Sequence, residues 1–241
     1  MPNVITIDGP AAAGKGTMAK HLAGNLTGFA HLDTGAVYRA MAYVLDQCGF
    51  DAGNVRTCTA PAVEAVTDAH VGILLAPDGS GSYTQSMAWN ARQIPDDRLR
   101  TQDISELASV ISEHGKFRSI ANHVIRKTAG KVNLVLDGRD TGTVLFPSAP
   151  VKFYLWAPLE VRARRRQAQD IQHGREEKPL DLIIQELRTR DERDSRRKTA
   201  PLRMAPDAVW IDTDLVPEEA VKQIMLGIAG ARLDPGSAKL V

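Results

Sequence analysis

Cysteine is scarce in this 241-residue chain, with Cys48 and Cys58 alone. No histidine stands at metal-ligand spacing from them, which excludes a zinc site and predicts a reducing compartment. No apolar run approaches the ~18 residues that a membrane helix needs. The opening Met-Pro-Asn-Val-Ile-Thr-Ile-Asp puts no basic stretch ahead of an apolar one, so no signal peptide is expected. Without a secretory route the Asn25-Leu26-Thr27 sequon is idle, and a cytoplasmic location is the expectation. Charge of one sign is not in excess either: 30 Lys and Arg face 29 Asp and Glu, leaving +1. That balance argues against a broad polyanion-binding surface. Internal repeats are lacking.

What is there suits one large α/β domain, or a core with a smaller inserted piece. Hydrophobic residues make up 43% and charged ones 24%, the composition of a globular chain large enough to need no disulfide or metal staple. Val4 to Ile7 reads as a buried strand, Gly9 to Gly16 as a turn, and a helix follows to about Leu26. Phe29 to Leu32 reads as a second strand. Gly35 to Cys48 reads as a helix with Val37, Met41, Val44 and Leu45 on one side. Alternation of this kind opens a parallel sheet. Ala76 to Arg98 shows no stable period and is expected to hold short strands and loops. Strands are expected at Val132 to Leu136, Val151 to Leu155 and Val209 to Ile211. Long charged helices are expected at Leu159 to Gln172 and Leu180 to Lys198. A last helix is expected over Pro217 to Ala229, with a frayed tail from Gly230. The sum is a doubly wound, parallel five-stranded sheet.

The strongest local signal is Gly9-Pro10-Ala11-Ala12-Ala13-Gly14-Lys15-Gly16-Thr17. It has the G-x-x-x-x-G-K form, directly after a strand and opening a helix, where backbone amides can face a polyphosphate. Lys15 would meet the outer phosphates, and with Gly16 in the place after lysine, the Mg²⁺-directed hydroxyl falls to Thr17. A glycine turn that merely caps a helix does not explain the lysine. GTPases, motors and small-molecule kinases all use this loop. No N-K-x-D guanine signature follows, and the chain is short for a motor, which favours a kinase of a small substrate. A non-enzymatic nucleotide switch or nucleic-acid-binding module is the other class left open.

Phosphoryl transfer between anions needs positive charge around the migrating group. Arg39 follows the second strand. Arg139 follows the third, within Asp137-Gly138-Arg139-Asp140, though two acids and a glycine are also turn chemistry. Residues 160–198 hold twelve Lys and Arg against nine Asp and Glu. Arg190, Arg193 and Arg197 at i, i+3 and i+7 are expected on one helix face, with Asp191 and Asp194 adjoining. A solvated, salt-bridged face and a lid that closes on phosphates are both open readings.

Four stretches carry a resemblance to the bacterial-type cytidylate kinases, a nucleoside monophosphate kinase family. They are Ile5 to Thr17, Asp33-Thr34-Gly35-Ala36-Val37-Tyr38-Arg39, Asp137-Gly138-Arg139-Asp140-Thr141-Gly142-Thr143-Val144-Leu145-Phe146-Pro147, and Arg190-Asp191-Glu192-Arg193-Asp194-Ser195-Arg196-Arg197. The resemblance runs from about residue 4 to residue 228 and implies transfer of the terminal phosphate of ATP, with Mg²⁺, onto CMP or dCMP. It implies a core (1–71, 101–159 and 199–241), a monophosphate-binding insertion (72–100) and a helical lid (160–198). It further implies that Gly9 to Thr17 hold the ATP phosphates and that Arg39, Arg139 and Arg197 hold the acceptor phosphate. Thr34, Arg118 and Asp140 would read the cytosine, and Ser109, Arg190 and Asp194 the sugar. Lys15, Arg39, Arg139, Arg193 and Arg197 would carry the catalytic charge, in a monomer that binds neither nucleic acid nor membrane. Two departures stand out. Residues 80–98 match the family poorly, leaving Arg100 as the carry-over from that region. Ala12 replaces a usual glycine, tolerable where the backbone is right-handed.

Overall fold

Buried apolar strands alternating with helices set the architecture. The computed structural model describes residues 3–57, 59–79, 82–175 and 177–233; Cys58, Ser80, Gly81, Glu176 and the tail from Asp234 lie outside the described residues. In chain order come β1 (Val4–Asp8), α1 (Lys15–Asn25), β2 (Phe29–Asp33), α2 (Thr34–Gln47) and α3 (Thr59–Asp68). Then follow β3 (Val71–Pro77), β4 (Tyr83–Trp89), β5 (Arg92–Ile94), α4 (Asp96–Leu99), α5 (Gln102–Ile111) and α6 (Gly115–Ala129). Last come β6 (Asn133–Gly138), a π-helical turn (Thr141–Leu145), β7 (Val151–Trp156), α7 (Leu159–Gln172), α8 (Leu180–Arg196), β8 (Val209–Asp212) and α9 (Glu218–Arg232).

The strands form a five-stranded sheet, β2-β6-β1-β7-β8, and a three-stranded one, β3-β4-β5. β1 pairs with β7 and β7 with β8 in parallel, which the intervening helices make possible. All five residues of β1 are buried, as a strand covered on both faces must be. The small sheet is antiparallel throughout. No helix among the described residues is long and apolar enough to cross a membrane.

The chain divides into two compact units. One comprises residues 28–134. Its core is α2, whose Val37, Met41, Val44 and Leu45 are all buried, packed on α3, α5 and β4. The other comprises residues 3–27 with 135–241, described to Leu233. There α1 packs on α9, and α7 on α8. α9 runs to Arg232, beyond the expected stop at Ala229; Val221, Met225 and Ala229 are buried along it, and Leu233 is buried just past its end. The carboxyl ends of β1, β6 and β7 carry the segments of interest, as in open α/β sheets generally.

Candidate active site

β1 delivers the phosphate loop. Gly9 has φ 148°, and a Cβ there would lie 2.1 Å from the Leu155 carbonyl oxygen of β7, so only glycine passes. Gly14 caps α1 without a side-chain acceptor, leaving the first amides of the helix for an anion. Lys15 is buried, and its Nζ donates to the Pro10 carbonyl at 2.5 Å. Burial holds its ammonium well below the usual lysine range; Arg139 and Arg190 add to this, while Asp137 and Asp8 oppose it. Thr17 is exposed in the first turn of α1, and Asp137 Oδ2 lies 4.0 Å from where a Gly16 Cβ would stand.

The expectation for Ala12 needs correction. Its φ is 59°, the left-handed region, not the right-handed backbone that would make alanine harmless there. That conformation costs an alanine about 1–2 kcal/mol. Ala12 packs against a buried cluster formed by Ala11, Ala163, Ile183 and Leu187.

The last residue of β1, Asp8, fixes the segment beyond β6. Its Oδ1 accepts from Thr141 N (2.9 Å) and Thr141 Oγ1 (2.8 Å), and its Oδ2 accepts from Gly142 N (2.8 Å). Burial pushes this carboxyl up, against the pull of those three donors. A Cβ on Gly142 would stand 2.7 Å from Thr6 Oγ1, so the segment approaches β1 too closely for any side chain. The turn then runs with i to i+5 bonds, Leu145 N to Asp140 O and Phe146 N to Thr141 O, the wide helical turn often found at functional sites.

Asp140 and Arg139 thereby meet α8. Arg139 Nε donates to Asp194 Oδ2 at 2.8 Å, and Arg197 Nη2 donates to Asp140 Oδ1 at 2.9 Å. Arg197 Nη1 lies 3.6 Å from Asp194 Oδ1 and its Nε donates to the Ala200 carbonyl. Burial alone would raise the Asp194 carboxyl, but Arg139, Arg190 and Arg197 outweigh it and hold it low. Burial likewise works against the Arg139 charge, and Asp194 more than restores it. The expected shared face of Arg190, Arg193 and Arg197 is graded instead: exposed, half-buried and buried in turn. The reason is local, since α8 ends at Arg196 and Arg197 leaves it with extended ψ of 141°, turning toward Asp140.

In the other unit Arg39 Nη2 donates to Asp33 Oδ2 at 2.6 Å. Arg39 Nε is buried and has no hydrogen-bond partner among the described residues. Burial would lift the Asp33 carboxyl, but Arg39, His31 and Arg100 hold it far below the usual carboxylate range. Thr34 is buried at the start of α2. Gln85 of β4 brackets the Asp33 backbone, its Oε1 accepting from Asp33 N at 2.8 Å. Arg100 is exposed and bonded to Asp96 at 2.6 Å. Arg118 is buried; it donates to the Ser112 carbonyl at 3.1 Å and lies over the Tyr38 ring. Ser109 is half-buried on α5.

So Arg139, Asp140, Asp194 and Arg197 share one ion-paired network, with Lys15 feeling the charge of Arg139, while Arg39 pairs with Asp33 and Arg100 acts on it through charge alone. Sequence reasoning passed over Asp8, Gln85, Arg162 and Asp191 as functional candidates. An acid ending a buried strand was a readable signal for Asp8. For Arg162 and Asp191, lost among many surface charges, no comparable signal exists. Among the described residues no group of three His, Cys, Asp or Glu side chains converges as metal ligands would.

The family model and the curated relatives agree on one family. The family model for cytidylate kinase matches residues 5–229. The chain is 37% identical over 229 residues to the cytidylate kinase of Halalkalibacterium halodurans, covering 95% of this chain and 98% of that one. It is 38% identical over 233 residues to the cytidylate kinase of Cupriavidus necator, covering 96% and 98%. The crystal structure of TT1252 from Thermus thermophilus aligns with a TM-score of 0.45 at 16% identity, over 97% of this chain and 98% of that chain.

Proposed function

Because the chain belongs to the cytidylate kinase family, we propose a division of labour by which its residues perform that family's reaction. The chain is a (d)CMP kinase: it moves the terminal phosphate of ATP onto CMP or dCMP, giving CDP or dCDP. One observation carries the assignment of roles. A phosphate loop and a largely buried group of two arginines and two aspartates, with Arg139 half-buried and Arg197, Asp140 and Asp194 buried, occur within one compact unit. A polyphosphate loop alone would serve a switch or a motor. Guanidinium groups held in place by acids also supply fixed positive charge for an acceptor anion.

In this reading Gly9, Pro10, Ala11, Ala12, Ala13, Gly14, Lys15, Gly16 and Thr17 cradle the donor phosphates. Lys15 exchanges the Pro10 carbonyl for a phosphate oxygen, and that anion restores the charge that burial disfavours. Arg39, Arg139 and Arg197 grip the acceptor phosphate, with Arg39 Nε a donor already desolvated for it. Thr34, Arg118 and Asp140 select the base, Ser109, Arg190 and Asp194 the sugar, and Arg100 adds charge on the acceptor side. Arg193 steadies charge on the migrating group. No general base is required, since the attacking oxygen is already anionic, and alignment with charge neutralisation carries the step. Residues 160–198 act as the lid and residues 72–100 as the monophosphate-binding region of the core formed by the remaining segments.

Mg²⁺ fits as an ion that arrives with ATP and keeps mostly water ligands, because an exposed Thr17 hydroxyl and the Asp137 carboxylate beside Gly16 are hard oxygen donors. When bound, it would supply neutralisation of phosphate charge, with Thr17 and Asp137 as the oxygen donors near it. A coupled ADP-release assay across CMP, dCMP, UMP, AMP, GMP and shikimate tests the substrate. CMP or dCMP is expected to be the best acceptor, and a better rate with any other overturns the reading.

A further inference from the structure

Ala11 of the phosphate loop is gripped on both of its backbone polar groups. Its N–H donates to Asp191 Oδ1 at 3.1 Å. Its carbonyl accepts from Arg162 Nη1 at 3.0 Å, and the same nitrogen reaches Asp191 Oδ2 at 2.6 Å. Arg162 is anchored in turn, its Nε donating to the Ala157 carbonyl at 2.9 Å. Arg162 is 6% exposed and the Asp191 side chain 18%, so the pair is largely shielded from water. The Ala11 side chain completes the grip by packing with Ala163 of α7 and with Ile183 and Leu187 of α8.

Two consequences follow. The Ala11 amide is committed to Asp191, so the amides that face phosphate are those after it, beginning with the left-handed Ala12. Asp191 also shares α8 with Arg190 and Asp194, and that helix runs directly into Arg197. The loop for the donor and the helix bearing acceptor-side groups are therefore joined through one ion pair. A pair whose role was merely to tie α7 to α8 would have no need of the loop backbone.

We propose that Asp191 and Arg162 are positioning residues that set the conformation of the phosphate loop from α8, holding Ala11 so that the following amides point at the donor phosphates. The inference rests on the reading that residues 9–17 hold ATP. Asp191→Asn turns an amide donor toward Arg162 or Ala11, and Arg162→Lys cannot reach Ala11, Ala157 and Asp191 together. The measurements are the ATP dissociation constant by calorimetry without CMP, then kcat and both KM values on folded protein.

In Asp191→Asn the dissociation constant and KM for ATP are expected to rise about tenfold and kcat to fall at least about tenfold, from loss of charge-assisted bonds and loop misplacement. KM for CMP stays within about twofold, a split that a general loss of packing would not produce. Arg162→Lys moves the same quantities the same way, and the double variant is no worse than the poorer single one, as for residues acting as one unit. ATP affinity unchanged in the folded variants, or a KM for CMP that rises as much as that for ATP, overturns the proposal. Should Asp191→Asn fail to fold, the split in Arg162→Lys decides. A natural chain that binds no ATP overturns the phosphate-loop reading and this inference with it. A natural chain that binds ATP, beside variants that bind it equally well, overturns the clamp alone.

Discussion

Arg39 and Arg197 both face carboxylates, one in each compact unit, yet their surroundings differ. Arg39 meets Asp33 through Nη2 and keeps a buried Nε with no acceptor. Arg197 donates from Nη2 to Asp140 and from Nε to the Ala200 carbonyl, with Nη1 3.6 Å from Asp194. The contrast separates two ways of preparing a guanidinium for an anion. Arg39 keeps an unsatisfied donor, which on the proposed reading an acceptor phosphate would relieve. Arg197 is woven into the fold, and on the same reading a phosphate oxygen would have to share it with Asp140 and Asp194.

The comparison breaks most readily at Asp194. Asp194→Ala leaves Arg139 and Arg197 facing each other with one acid fewer, and removing one member of a buried pair costs about 3–5 kcal/mol. Urea unfolding is expected to show a loss of that order. Asp33→Ala, whose side chain is 29% exposed beside one arginine, should cost about 1–2 kcal/mol by the same measurement. Equal losses would mean that the two groups are energetically alike and that the distinction drawn from pairing is wrong.

Arg39→Ala sharpens the other side. Because Arg39 serves the fold through one partly buried ion pair, its removal should cost about 1–2 kcal/mol, as for Asp33→Ala. It should lower kcat/KM for CMP about 100-fold, the order lost when a charged donor to the reacting group is deleted. Unchanged steady-state kinetics in a well-folded variant would remove Arg39 from the acceptor site.

That asymmetry was only partly legible in the sequence. The phosphate loop, the strand alternation behind the parallel sheet and the apolar side of α2 follow from local pattern, because glycine placement and hydrophobic period are local properties. The aspartates gave up less. Asp140 and Asp194 were visible as charges near arginines, but their partners lie 57 and 55 residues away along the chain, and no spacing rule links Arg197 to Asp140 or Arg139 to Asp194. The condition set for Ala12 is not met for a related reason: its φ is 59°, and it packs against residues of α7 and α8 that a reading of the loop alone does not contain. Gln85 lies in the stretch that matched the family least, yet it brackets Asp33 from a strand remote in sequence.

Acid titration gives a smaller, graded effect. Asp194 and Asp33 both have carboxyls held below their unfolded value, so each contributes stability that is present above about pH 4 and lost as pH falls through the folded value. Asp8 runs the other way. Its carboxyl is raised by burial, so its contribution is full below the unfolded value and lost as pH rises through the folded one. Stability should therefore decline below about pH 4, where the Asp8 contribution is already full and only the losses from Asp194 and Asp33 remain. Asp33→Asn is expected to flatten the decline, and Asp194→Asn to flatten it alongside a lower plateau at neutral pH. A decline equally steep in both variants would place the acid sensitivity elsewhere.

Arg100 supplies the smallest test. It lies within electrostatic reach of Asp33, but its guanidinium is 48% exposed and its hydrogen bond runs to Asp96, itself 73% exposed. Exposed pairs of this i,i+4 kind contribute about 0.3–0.5 kcal/mol, so Arg100→Ala should leave stability nearly untouched. On the proposed reading its charge would act on the acceptor through solvent, and screening at physiological salt would limit that action. KM for CMP is accordingly expected to rise about two- to threefold, with the rise largest at low salt, where the Debye length is about 30 Å at 0.01 M. A rise that ignores salt would mean that Arg100 touches the acceptor directly on closure. Arg100 would then join Arg39 as a donor in waiting, and the Asp33 cluster would be the more heavily built of the two acceptor groups.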